Sequence, residues 1–169
     1  MSKNKFGNSG RDAFLANTAD LCFASLECNI AARMKFNFSF VCNDQERNGF
    51  IPFCKFSQEQ KDMIFDKLQE LSRHSRAELE KMPIGSGKHR QSVLAVYRDF
   101  PVKTKAERPK SVPIDADWAR LRLEGDFRLC GFFIPNELDG KEHEKSKVRF
   151  DKNTFYVVFI DPEHNFYQV

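Results

Sequence analysis

The chain has 169 residues, with 27 Lys and Arg against 24 Asp and Glu and a hydrophobic fraction of 41%. That is enough apolar side chain for one core, and a net charge of +3 by itself argues for no polyanionic partner. No apolar run reaches the roughly 18 to 20 residues of a membrane span, and the polar start MSKNKFGNSGRDAF lacks the apolar segment of a secretory signal, so a cytoplasmic protein with no membrane partner is expected.

Residues 1–33 read as an N-terminal extension, partly helical over 13–32, where Phe14, Leu21, Leu26 and Ile30 supply an apolar side. The character then changes. MKFNFSFV (34–41) alternates Phe36, Phe38 and Phe40 with Lys35, Asn37 and Ser39, the two-residue period of a half-buried strand, and opens a single α+β domain over 34–169. Ser57 followed by Gln60 is a capping-box pattern. It starts a helix that places Met63, Ile64, Leu68 and Leu71 on one face. A second short helix is expected over 76–81, stopping near Pro83, and QSVLAVYRDF (91–100) reads as a strand.

A basic insertion occupies about 82–115. Lys88, Arg90, Arg98, Lys103, Lys105, Arg108 and Lys110 stand there against only Asp99 and Glu107. Such clustering suits a polyanionic partner, and it equally suits a solvated lysine-rich loop. From Trp118 onward the pattern is sheet. Trp118, Arg120 and Arg122 share one face of a strand, and Ala119, Leu121 and Leu123 the other. Glu124, Gly125 and Asp126 form a tight turn, 127–134 returns, 135–147 is a charged surface loop, and 155–160 is a strand covered on both faces. DPEH then turns the chain into a last short strand holding Phe166 and Tyr167. The order α–β–α–α–β–β–β–β–β is an α+β fold with N-terminal helices packed on a mainly antiparallel, twisted sheet.

Five cysteines, an odd number without CxxC spacing, read as buried thiols; no metal site, cofactor or disulfide framework is implied. IGSGKHR is no phosphate loop, because Met82 stands where the first glycine belongs and His89 replaces the magnesium-binding hydroxyl. The C-terminal constellation carries more. Arg120, Arg122, Arg128, His164 and Tyr167 fall on strands that can be neighbours. A ribonuclease that works without metal needs a proton-transfer group, for which histidine is suited, and fixed cations on the phosphate, for which arginine is suited. Tyrosine can stack a base. The bland alternative is a wet sheet face carrying ordinary arginines, with His164 closing a turn on Asp161.

MKFNFSF, the helices, WARLRLEGDFRLCGFFI, an apolar strand and a terminal His/Tyr segment together resemble the RelE/YoeB-type toxins of type II toxin–antitoxin systems. The resemblance implies a RelE-like fold and a metal-independent endoribonuclease, acting on RNA or ribosome-bound mRNA and giving a 2′,3′-cyclic phosphate. It also implies a cognate antitoxin protein. It places the phosphate-stabilising arginine at Arg120 with Arg122 beside it, the arginine after the turn at Arg128, and the terminal proton-transfer and aromatic positions at His164 and Tyr167. The carboxylate some members carry would fall on Glu107 or Asp117. Lys88, Arg90, Arg98, Lys103, Lys105 and Lys110 would add backbone affinity for RNA. The competing readings are a non-catalytic nucleic-acid or protein-binding module on the same fold, serving phage defence or mobile-element biology, and a structural protein dimerising through 13–32.

Overall fold

The computed structural model describes residues 29–85 and 91–167. The chain divides into two compact units, Met1–Ala32 and Arg33–Val169. Of the first, only a 3-10 turn over Ile30–Ala32 is described, closed by the Ala32 amide donating to the Asn29 carbonyl. The helix expected over 13–32 otherwise lies outside the described residues.

The second unit is a mixed α+β fold on a five-stranded sheet. In chain order its elements are β1 (Lys35–Asn37), α1 (Gln58–Leu71), α2 (Arg76–Lys81), β2 (Pro83–Ile84), β3 (Gln91–Ser92), β4 (Leu94–Arg98), β5 (Asp117–Arg122), β6 (Arg128–Phe133) and β7 (Thr154–Asp161). The main sheet runs β1-β7-β6-β5-β4, and β2 and β3 form a separate antiparallel pair. Every neighbour in the main sheet is antiparallel except β1 and β7, which are parallel.

Local chemistry sets the element ends. Ser57 Oγ accepts from the Gln60 amide while the Gln60 side chain accepts from the Ser57 amide, as the capping box predicts. A second box, Ser75 with Glu78, starts α2. The expected strand over 34–41 is only three residues long. Asn37 Oδ1 takes the Ser39 amide, and the Val41 amide turns back to the Phe38 carbonyl. That side-chain competitor for backbone donors breaks the strand despite its alternation. The strand expected over 91–100 is divided between β3 and β4, and its register against β5 shifts between Val96 and Arg98, where Arg98 takes φ +68°.

Both faces of the sheet are covered. Ile64, Leu71 and Leu79 of the helices pack on Ala119, Leu121, Leu129, Phe133, Phe155 and Val157. On the other side Trp118, Cys130, Phe132 and Phe159 meet Phe50, Ala106, Val112, Ala116 and Phe166. That second layer is loop, not helix. The basic insertion is therefore structural in part: it supplies the edge strand β4 and, through Ala106 and Val112, part of the roof over the second face. Each fully buried Val, Leu, Ile or Phe among them contributes about 1.5–3 kcal/mol by leaving water. Among the described residues no helix is long and apolar enough to cross a membrane.

The last expected strand is absent among the described residues. After β7 the chain folds around Asp161, whose carboxylate accepts the amides of Glu163 (3.2 Å) and Phe166 (2.8 Å). Two backbone donors aimed at one buried side chain make a turn, and β7 already has β1 on one side and β6 on the other.

Candidate functional site

The register of β5, β6 and β7 places three arginines together. Arg122 lies opposite Arg128 on β6, and Arg128 lies opposite Asp161 on β7. Arg120, two residues before Arg122 and on the same face, has Ala95 as its partner on β4 and Cys130 on β6. Small side chains on both sides leave room for a guanidinium to lie along the sheet.

Arg120 is 7% exposed. Its Nε donates to the Tyr97 phenol oxygen at 2.7 Å and its Nη2 to Gln91 Oε1 at 2.9 Å. Arg122 Nη2 reaches the same Gln91 oxygen at 3.4 Å. Arg128 is 2% exposed and spends Nη1 on the carbonyls of Gly125 and Phe127, tying down the β5–β6 turn. Arg120 Nη1, Arg122 Nε and Arg128 Nε are buried without a hydrogen-bond partner. None of the three arginines forms an ion pair with a carboxylate among the described residues. Burial, followed by the charges of Arg122 and Arg120, brings the Arg128 guanidinium down to about 10.

His164 sits in the Asp161 turn at φ +59°, a left-handed conformation that costs a non-glycine residue about 1 kcal/mol or more and is held here by the two Asp161 bonds. Its imidazole is pushed below the ordinary histidine value, first by burial and then by Arg128 and Arg120, with Asp161 opposing. It is therefore largely neutral at pH 7 and able to accept a proton. Asp161 spends its carboxylate on backbone amides, and no hydrogen bond joins it to the imidazole among the described residues. His164 therefore does close a turn on Asp161, as the bland alternative expects, through the backbone amides and not through its imidazole.

Tyr167 stacks on Tyr97, ring centroids 4.8 Å apart and planes 9° from parallel. The residue before it, Phe166, is fully buried among Tyr97, Phe100, Trp118 and Phe159. This aromatic plug fixes where His164 and Tyr167 emerge. Asn165 is buried beside Gly49, and its carbonyl accepts the Lys105 amide at 3.2 Å, so the basic segment passes next to the histidine turn.

Not every predicted residue joins the cluster. Lys88 and Arg90 lie outside the described residues. Lys103, Lys105 and Lys110 are exposed. Arg98 faces a separate hollow of about 490 Å³ that it lines with Arg76, Glu80 and Asp117. Asp117 lies 3.8 Å from Arg76 in that hollow, and Glu107 pairs with Arg47 at 3.2 Å; neither expected carboxylate stands with the three arginines. Tyr97 and Gln91, which hold Arg120, carried no signal in the sequence, because their role depends on the pairing of β4 with β5 and on the position of β3. An apolar groove of about 630 Å³ lies elsewhere, between α1 and the strand ends, with Phe38, Phe53 and Phe65 exposed on it.

Comparison with known proteins finds no counterpart: no family model, no curated protein and no solved structure matches the chain.

Proposed function

We propose that this protein is a RelE/YoeB-like, toxin-type endoribonuclease that cleaves RNA without a metal. The observation that carries this reading is a single one: three arginines on one sheet face form no ion pair among the described residues, and their charges add to burial in depressing the imidazole of His164 in the turn after β7. Asp161 opposite Arg128 offsets part of this charge while its carboxylate is bonded to two backbone amides; the remaining cations are costly to hold unless an anion completes the site, and a phosphodiester is an anion this geometry suits.

In the proposed reaction neutral His164 takes the proton of the 2′-hydroxyl. The 2′-oxygen attacks phosphorus, the bond to the 5′-oxygen breaks, and the leaving oxygen is protonated from solvent. The products are a 2′,3′-cyclic phosphate and a 5′-hydroxyl. Arg120 and Arg122 hold the charge that grows on the phosphoryl oxygens. Arg128, committed to the turn carbonyls, acts through its field. Tyr167 offers its outer ring face to a base, and Lys103, Lys105 and Lys110 add salt-sensitive backbone affinity. The RelE-like arrangement of the sheet and a cognate antitoxin covering the Phe38–Phe53–Phe65 groove belong to the same proposal.

The test is cleavage of RNA in EDTA, with and without ribosomes, comparing the wild type with Arg120→Ala and His164→Gln. Cleavage that persists in EDTA and is lost in both variants supports the assignment. Cleavage abolished by EDTA, or unchanged in both variants, sinks it.

A further inference from the structure

Two other arginines, Arg76 and Arg47, are held by carboxylates. Arg76 Nε bonds Glu80 at 2.9 Å with Asp117 beside it, and Arg47 bonds Glu107 at 3.2 Å. The arginine cluster differs. Both side chains that orient Arg120 are neutral, the Tyr97 phenol and the Gln91 carboxamide, and Gln91 Oε1 takes donors from Arg120 and Arg122 together. A carboxylate at position 91 would form an ion pair with the same nitrogens. It would also cancel one of the charges.

We propose that Gln91 is a positioning residue whose neutral acceptor aligns Arg120 and Arg122 while leaving their full charge for a phosphodiester. The proposal rests on the phosphate reading of this site and adds the reason for its uncharged acceptors. Three features support it. Gln91 is exposed, so its side chain reaches the arginines from outside the core. It stands on β3, paired with β2 outside the main sheet, and the Val93 carbonyl two residues on accepts the Arg122 amide at 2.9 Å, so its backbone is anchored to the strand that carries the arginines. Finally, Arg120 Nη1 and Arg122 Nε keep no protein acceptor, so the pair is oriented but not neutralised.

The experiment separates binding from cleavage. A short single-stranded RNA with 2′-O-methyl groups, which cannot be cut by 2′-hydroxyl attack, is titrated by fluorescence anisotropy at several salt concentrations. Gln91→Glu is expected to bind about tenfold more weakly or worse than wild type, with a salt slope shallower by about 0.7 for each phosphate that the protein no longer neutralises. A thermal melt should show the variant at least as stable, because a carboxylate now satisfies the arginines. Gln91→Leu keeps the charge and loses the alignment; it is expected to bind more weakly with the wild-type salt slope, and it decides the matter alone if Gln91→Glu does not fold. Gln91→Glu binding as tightly as wild type, or Gln91→Leu binding identically to it, overturns the role of Gln91 while leaving the phosphate site standing. A wild type that does not bind this RNA overturns the phosphate reading itself.

Discussion

Tyr97 accepts the Nε–H of Arg120 at 2.7 Å, and the ring that carries this phenol also stacks on Tyr167. One side chain on the edge strand therefore couples a guanidinium of the sheet to the terminal turn that bears His164. Burial raises the Tyr97 phenol above its ordinary value, so it stays a neutral acceptor throughout the physiological range.

Removing that acceptor should be felt twice. Tyr97→Phe leaves the Arg120 Nε buried and unpaired, at a cost of about 1–3 kcal/mol, read from urea denaturation. RNA cleavage should fall with it, since Arg120 loses one of its two restraints. An unchanged midpoint and unchanged cleavage would show that the hydrogen bond neither stabilises nor positions.

The pH dependence follows from the depressed His164. In the folded protein the imidazole stays neutral below the ordinary value near 6.5, while the unfolded chain already binds the proton there. Folding stability should therefore decline as pH falls from the unfolded value through the folded one. The acid limb of kcat/KM for RNA cleavage should likewise lie below 6.5. Arg122→Ala removes one of the charges that depress the imidazole, so its acid limb should move to higher pH. A limb that stays fixed in Arg122→Ala would mean that the Arg122 charge has no part in setting this value.

An anion should stabilise the fold. Phosphate at about 100 times its Kd would add roughly 2.7 kcal/mol, read as a rise in Tm against chloride at equal ionic strength. Arg120→Met combined with Arg122→Met should abolish the rise. A rise that survives both substitutions would place the anion elsewhere.

Gly49→Ala tests the support of the histidine turn. Gly49 adopts φ +89°, and a Cβ there would collide with the Asn165 side chain next to His164. The left-handed backbone alone makes alanine cost about 1 kcal/mol. Displacement of Asn165 should lower cleavage further than that loss of stability explains, measured at a temperature where the variant remains folded.

Much of this fold is legible in the sequence because its signals are local. Ser57 and Gln60 announce α1, Glu124-Gly125-Asp126 announces the β5–β6 turn, and the apolar run at 155–160 announces a strand buried on both faces. Alternation also put Trp118, Arg120 and Arg122 on one face. Local signals fail where a side chain competes for the backbone, as Asn37 does in shortening β1 and Asp161 does in replacing the final strand by a turn.

The sequence by itself determined which cations and which histidine are present and which face each strand arginine occupies, since period-two alternation needs no partner. Only the tertiary structure decided that Arg128 is withdrawn into the turn, that Arg98 and Asp117 belong to another hollow, and that Tyr97 and Gln91 hold Arg120. Those outcomes depend on strand register, on a bulge after Val96, and on a loop roof that buries one end of the sheet face. They are set by residues far apart in the chain meeting across the sheet, and no window of sequence contains them.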